Sequence, residues 1–164
     1  MKIFDASTLI AIFHEGKCES VLEESVKNGY ALGIPETVYE ELKVNKITFK
    51  LFSKYSDHFE VLPVNKKCIQ NLKKRHPNLH DGELGVMCHA IEENDKNLNI
   101  YFVDDGEARQ KCEVYDIRKS GLIGYLLWNK DKEILDNEEC KRIYKNLKES
   151  PFRISEKLLG RLIE

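Results

Sequence analysis

The chain has 164 residues, enough for one domain with a sizeable core, and its 41% hydrophobic and 33% charged residues predict a folded, soluble protein. A net charge of −2 argues against a general binder of nucleic-acid backbones, because such domains usually carry a basic surplus. No apolar run approaches the roughly 18–20 residues that cross a bilayer, and Asp5 does not fit the start of a signal peptide. We therefore expect a cytoplasmic protein without a membrane anchor.

Cysteine usage points to packing and not to chemistry. The five cysteines are odd in number, scattered, and never in C-x-x-C spacing: Cys18, Cys68, Cys88, Cys112 and Cys140. This pattern gives no support to a zinc or redox motif. We expect buried thiols that act as small hydrophobic side chains.

Short apolar runs alternate with amphipathic helical patterns along the chain. The predicted strands begin at 3–4 and continue at 30–34, 58–64, 98–103 and 113–117. The predicted helices cover 7–14, 18–27, 36–44, 47–55, 66–75, 82–93, 107–112, 122–131, 137–147 and 155–163. This alternation predicts an α/β fold with an open, doubly wound parallel sheet. The sequence contains no glycine-rich phosphate-binding motif.

Acidic side chains recur at one predicted edge of this sheet. Asp5 follows the first strand, and Asp104 and Asp105 follow a later one, so all three face the carboxyl ends of parallel strands. Glu41 lies on the inner face of the helix after Pro35, while Glu40 points about 100° away. Glu83 lies in the first turn of its helix, where the positive helix end favours an anion.

Converging carboxylates would repel one another and raise one another's pKa. Such a cluster is reasonable if it holds divalent cations, and an oxygen-only ligand set suits Mg²⁺ or Mn²⁺. Two such ions about 3.5–4 Å apart can activate water and stabilise the leaving oxygen in phosphodiester cleavage. Each acid also has a simpler explanation as a helix cap, and Asp81 in particular is expected to be the N-cap of the helix over 82–93. The pattern alone leaves both explanations open.

Several segments resemble PIN-domain ribonucleases in order and spacing. The segments that carry the resemblance to the acidic motifs of that family are 5–10 (DASTLI), 35–42 (PETVYEEL), Gly82-Glu83 with Ala90, and 102–109 (FVDDGEAR). Residues 120–127 (SGLIGYLL) and 152–155 (FRIS) are similar to later family segments, so the resemblance covers nearly the whole chain.

The resemblance implies a three-layer α/β/α sandwich with a central parallel sheet, formed by a single PIN-like domain over 1–164 with extra C-terminal helices from about 120. It implies a metal-dependent endoribonuclease whose catalytic acids are Asp5, Glu41, Glu83 and Asp105. Asp104 is a further metal ligand candidate, and Ser7 supports Asp5. The implied cofactor is Mg²⁺ or Mn²⁺, and the substrate is RNA. Many such proteins are VapC-type toxins, which implies a possible antitoxin partner and a possible homodimer.

The sequence leaves two alternatives to this function. A non-catalytic PIN-type scaffold would bind RNA or a partner protein, although the retained acids argue against it. A phosphotransfer or receiver-like domain would use the Val103-Asp104-Asp105 segment, but a receiver has its acid pair near its N-terminus. Arg109 is expected either to hold a scissile phosphate through its planar guanidinium or to pair on the surface with Glu107 or Glu113.

Overall fold

The computed structural model describes residues 1–95 and 97–164. Its central sheet contains five strands, all parallel, in the order β3-β2-β1-β4-β5. The strands are β1 (Lys2–Phe4), β2 (Leu32–Pro35), β3 (Phe59–Leu62), β4 (Ile100–Phe102) and β5 (Lys119–Ser120). With helices covering the sheet, the architecture confirms the predicted three-layer α/β/α fold with a central parallel sheet.

The helices follow the predicted order closely. They are α1 (Ala6–Ile10), α2 (Ser20–Lys27), α3 (Glu36–Val44), α4 (Lys46–Ser53), α5 (Lys66–Arg75), α6 (Asp81–Glu92), α7 (Gly106–Val114), α8 (Leu122–Asp131), α9 (Asn137–Glu149) and α10 (Glu156–Gly160). A π-helical segment, Ala11–Gly16, continues directly from α1, so the predicted helix over 7–14 changes its hydrogen-bond pattern part-way. Among the described residues, no helix is both long enough and apolar enough to span a bilayer.

The central strands are buried on both faces, as expected where helices cover a parallel sheet. Every residue of β1 and β2 is buried. Tyr125 of α8 packs edge-on against Phe4 and Phe102, with ring centroids 5.0 and 5.1 Å away. Its hydroxyl shares a 2.7 Å hydrogen bond with Ser25 of α2, which joins α8 to α2. Elsewhere α6 packs against both α3 and α5.

Two local predictions are wrong. The last strand is β5 and does not lie at 113–117, because α7 continues to Val114 and buries Ala108 and Cys112 on one face. β5 is a two-residue polar edge strand, so it has no apolar run that a sequence pattern could detect. The N-cap of α6 is His80, and Asp81 is the first helical residue.

The cysteine prediction is also partly wrong. Cys18, Cys112 and Cys140 are buried free thiols, as expected. Cys68 of α5 and Cys88 of α6 instead form a disulfide, with Cα atoms 5.8 Å apart, within the range that bridging allows. Their separation of 20 residues carried no motif, and only the packing of α5 on α6 brings the pair together.

The order of the strands shows where the chain stops adding strands on one side of β1 and begins adding them on the other. From β1 the chain passes to β2 and β3 on one side, then returns to β4 and β5 on the other. In open parallel sheets, ligands bind beyond the carboxyl ends of the strands at such a switch point. Here that point lies between the ends of β1 and β4, where Asp5 and Asp104 follow.

Candidate functional site

Asp5 lies directly after β1 and is held firmly in place. Its backbone N–H donates to Phe102 O of β4 at 3.0 Å, which continues the pairing of the two strands. One carboxylate oxygen accepts the N–H of Thr8 at 2.7 Å and so caps α1, and the other accepts the Ser7 hydroxyl at 2.6 Å. Burial raises the pKa of Asp5 to about 7, against the effect of these hydrogen bonds. Asp5 is 1% exposed, and its charged form is therefore poorly solvated.

Asp104 is tied to Asp5 through two side chains of α1. The Thr8 hydroxyl donates to Asp104 Oδ2 at 2.7 Å, while the Asp104 N–H donates to Ser7 Oγ at 3.3 Å. The first N–H of α8, on Leu122, donates to the same carboxylate at 2.9 Å. Burial raises the pKa of Asp104 as well. The two acids are therefore brought together at the switch point, joined by Ser7 and Thr8.

Asp105 and Glu83 both serve as helix caps, as the simpler explanation of the sequence predicts. Asp105 Oδ1 accepts the N–H of Ala108 at 2.9 Å and caps α7. Glu83 Oε2 accepts the N–H of His80 at 2.8 Å, which is half of a capping box at the start of α6. Burial raises the pKa of Glu83, and the charges of Asp105 and Glu41 raise it further. These carboxylates are thus electrostatic neighbours.

Glu41 of α3 contacts the start of α6, but it is an exposed residue there and not a buried one on the inner face of the helix. Its Oε2 lies against Gly82, and a Cβ atom at that position would force the Glu41 carboxylate to move. Burial raises the pKa of Glu41, and the charge of Asp81 raises it further. Glu40, by contrast, points outward and pairs with Lys43 at 2.9 Å.

The five acids form two groups that are not preassembled around one ion. Asp5 and Asp104 form one group, and Glu83 with its neighbours Glu41 and Asp105 forms the other. Within the described part of the chain, no three Asp, Glu, His or Cys side chains are placed to hold a single metal ion. Neither Asp5 nor Asp104 forms an ion pair with a described Lys, Arg or His side chain.

Arg109 does not pair with Glu107 or Glu113 on the surface, so that prediction is wrong. Its Nη1 donates to the carbonyls of Val103 at 2.7 Å and Ser120 at 2.9 Å, which fastens α7 to the ends of β4 and β5. Glu113 instead pairs with Lys119 at 3.0 Å. Burial raises the pKa of Asp104 overall, and the Arg109 guanidinium partly opposes this rise by favouring the charged form.

Sequence reasoning missed the residues that connect these acids. The Thr8 hydroxyl reaches Asp104, 96 positions away in the chain, and no local sequence pattern indicates this contact. Gly121 was similarly overlooked, although a Cβ there would lie 2.5 Å from Asp104 Oδ1. Motif order could have drawn attention to both, since each lies within a segment that carries the family resemblance.

A family model described as a PIN domain matches residues 1–164. The chain belongs to the PIN-domain family. PIN domains are generally nucleases that act on or bind RNA, and they typically use divalent metal ions. The match gives no support to a receiver-like domain. No curated protein matches this chain.

Proposed function

We propose that this PIN domain is a divalent-metal-dependent endoribonuclease that hydrolyses phosphodiester bonds of RNA. The observation that carries the proposal is the Asp5–Asp104 pair at the switch point. The two carboxylates are joined through Ser7 and Thr8, and both have a pKa raised by burial. Burying the Asp5 carboxylate without a cationic partner lowers the stability of the protein, and a function that requires the charge accounts for its presence.

The donor set fits Mg²⁺ or Mn²⁺ in its chemistry. All the candidates are carboxylate oxygens, Asp5, Glu41, Glu83, Asp104 and Asp105, which are the ligands that these ions prefer. When bound, such an ion supplies Lewis-acid activation of water and stabilises the leaving oxygen. Glu41, Glu83 and Asp105 each keep one carboxylate oxygen that accepts no hydrogen bond from the described residues.

The chain's own residues would hold the carboxylates of the site in fixed positions. Ser7 and Thr8 fix the carboxylates of Asp5 and Asp104 by hydrogen bonds, so these acids change position little when charge develops nearby. Arg109, whose Nη1 is held by two carbonyls, keeps a cation beside Asp104. The N-termini of α1, α6 and α7, at which Asp5, Glu83 and Asp105 lie, favour negative charge at this edge.

The test compares Asp5→Asn with the exposed control Asp57→Asn on single-stranded RNA in Mn²⁺. We expect Asp5→Asn to lower the cleavage rate by about 100-fold or more, since changing groups that merely support a metal ligand costs about 10–100-fold. Asp57→Asn should cleave as the wild type does. A folded wild-type protein that binds RNA but cleaves none of it with Mn²⁺ or Mg²⁺ would contradict the proposal and favour the non-catalytic scaffold.

We further propose that the enzyme acts in the cytoplasm as the toxin of a toxin–antitoxin pair, with a protein antitoxin and a second copy of the chain as partners. The support is the family resemblance of the acidic segments. The same variants provide the readout: expression of the wild type or of Asp57→Asn should stop bacterial growth, whereas Asp5→Asn should not. Unchanged growth with an active nuclease would reject the toxin role alone.

A further inference from the structure

Two cavities flank the candidate carboxylates and carry opposite charge. The first, of about 670 Å³, lies along α3, α5 and the start of α6 and includes Glu41. Its acidic lining residues outnumber its lysines: Glu36, Glu40, Glu41 and Asp81 against Lys66 and Lys73. The second, of about 460 Å³, lies between the start of α8 and segment 152–161, with Asp104 in its wall.

The second cavity contains three arginines, Arg109, Arg153 and Arg161, and we call it the arginine pocket. Asp104 is the one acidic side chain among its described lining residues. The whole chain carries a net charge of −2, so this concentration of guanidinium groups is a local feature and not a reflection of a general basic surplus. A phosphate group is therefore attracted to this side of the carboxylates and repelled from the acidic side.

The arginines differ in how they are held. Arg109 is half-buried and fixed to two backbone carbonyls. Arg153 and Arg161 are exposed, and neither guanidinium forms a hydrogen bond or ion pair with another described residue. Both are consequently available to an anion without breaking a contact of the folded chain.

The pocket wall also contains apolar side chains. Phe152 and Ile154 are half-buried, and Leu158 is 39% exposed. A nucleobase can stack on an aromatic side chain while arginines bind the adjoining phosphates, which is how proteins hold single-stranded nucleic acid without base pairing. The volume of the pocket is within the range of about 300–1,000 Å³ that accommodates small ligands.

We propose that the arginine pocket binds the RNA strand on one side of the scissile phosphodiester, with Arg153 and Arg161 on its phosphates and Phe152 against a base. This inference rests on the proposed ribonuclease function, because Asp104 is shared by the pocket wall and the carboxylate site. The substrate class it selects is single-stranded RNA, since an unpaired base is needed to reach Phe152.

The experiment measures binding of a short, fluorescently labelled single-stranded RNA to the full chain in EDTA, so that cleavage does not occur. The Arg153→Gln/Arg161→Gln variant is compared with Lys67→Gln/Arg75→Gln, which removes the same charge from exposed residues of α5. We expect the first variant to weaken binding about tenfold or more and to reduce the slope of log K against log salt by about 1.4, or about 0.7 per phosphate contact. The control should stay within about twofold of the wild type.

Phe152→Leu provides an independent arm, because leucine keeps the apolar packing and removes the ring. We expect it to weaken binding about fivefold, at the lower end of the effect of losing one base–aromatic stack. Equal weakening by both charge variants, or none by Arg153→Gln/Arg161→Gln, would overturn the proposal. If every variant melts at the same temperature as the wild type, the differences in affinity arise from binding and not from misfolding.

Cleavage kinetics in Mn²⁺ separate this inference from the proposed function. If Arg153→Gln/Arg161→Gln raises KM about tenfold and leaves kcat nearly unchanged, the pocket contributes binding to a working nuclease. If the wild type cleaves no RNA but the binding loss remains, the proposed catalysis fails and the RNA site stands. If cleavage occurs with unchanged KM in the variant, the pocket alone is rejected.

Discussion

Asp104 and Asp105 are neighbours in the chain but have different hydrogen bonds. Asp104 Oδ2 accepts both the Thr8 hydroxyl and the Leu122 N–H, and Leu122 N–H also lies 3.1 Å from Oδ1. Asp105 uses Oδ1 to cap α7, and its Oδ2 accepts no hydrogen bond from the described residues. Asp105 is therefore the acid with the freer oxygen, while Asp104 contributes more to the structure.

The variants Asp104→Asn and Asp105→Asn should separate these two roles. Asparagine is as good an N-cap as aspartate, so we expect Asp105→Asn to lower the cleavage rate about 100-fold with little change in melting temperature. Asp104→Asn places an amide donor near the Leu122 N–H in a half-buried site. We expect it to reduce the free energy of unfolding by about 1–3 kcal/mol, measured by urea unfolding. The reverse order of effects would contradict this assignment.

The pairing of α5 with α6 is the contact that the disulfide reinforces. Cys68 lies on α5 and Cys88 on α6, and the start of α6 contains both Glu83 and the glycine that Glu41 contacts. A covalent link between these helices thus limits movement of one wall of the candidate site. Closing a loop of 20 residues contributes on the order of 3 kcal/mol by the chain-entropy account.

Reductant should therefore lower the stability of the oxidised protein. We expect dithiothreitol to reduce the free energy of unfolding of the wild type by about 2–4 kcal/mol and to leave Cys68→Ser unaffected. Cys112→Ala, which removes a buried free thiol, should remain sensitive to reductant. Urea unfolding with and without reductant is the measurement. Five titratable thiols in protein unfolded in urea without reductant would show that the link does not form.

Across the whole molecule, two buried ionisable groups lie at opposite ends of β1. Asp5 follows the strand, and burial raises its pKa from 3.8 to about 7. Lys2 begins the strand with its ammonium against the rings of Tyr30 and Trp128, and its Nζ has no hydrogen-bond partner among the described residues. Burial, followed by the charge of Lys132, lowers the pKa of Lys2 from 10.5 to about 7. The ring faces favour the charged ammonium and limit this shift.

Opposite shifts predict opposite effects of pH on stability. A raised pKa of Asp5 stabilises the fold at low pH, and this stability is lost as pH rises from about 4 to about 7. A lowered pKa of Lys2 destabilises the fold near pH 7, and this loss is recovered as pH rises toward 10.5. Relative to the wild type in EDTA, Asp5→Asn should therefore raise the melting temperature more at pH 8 than at pH 4.

Lys2→Met should raise the melting temperature more at pH 6 than at pH 10. For each variant, the change in melting temperature relative to the wild type should differ between the two pH values by about 2–4 °C or more. This corresponds to about 1 kcal/mol for a domain of this size. Thermal melts across this pH range provide the measurement, and the exposed control Asp57→Asn should follow the wild type. Curves that run parallel at all pH values for Asp5→Asn or Lys2→Met would contradict the assigned shift.

The local hydrophobic pattern predicted the fold class of this protein, and the order of its motifs predicted its family. The helices predicted over 36–44 and 66–75 coincide with α3 and α5, because apolar residues at helical spacing and clear boundary residues are local signals. The alternation of strands and helices predicted the parallel sheet, since parallel strands need helical crossovers. The order of the acidic segments pointed to the PIN-domain family, which the whole-chain match confirms.

Only the tertiary structure decided which distant groups meet. It joined Thr8 to Asp104, linked Cys68 to Cys88, and brought Arg153 and Arg161 to the pocket beside Asp104. It also identified β5, which is two residues long and has no apolar pattern of its own. Each of these features depends on contacts between segments that are far apart in sequence, and periodicity within a short window contains no information about such contacts.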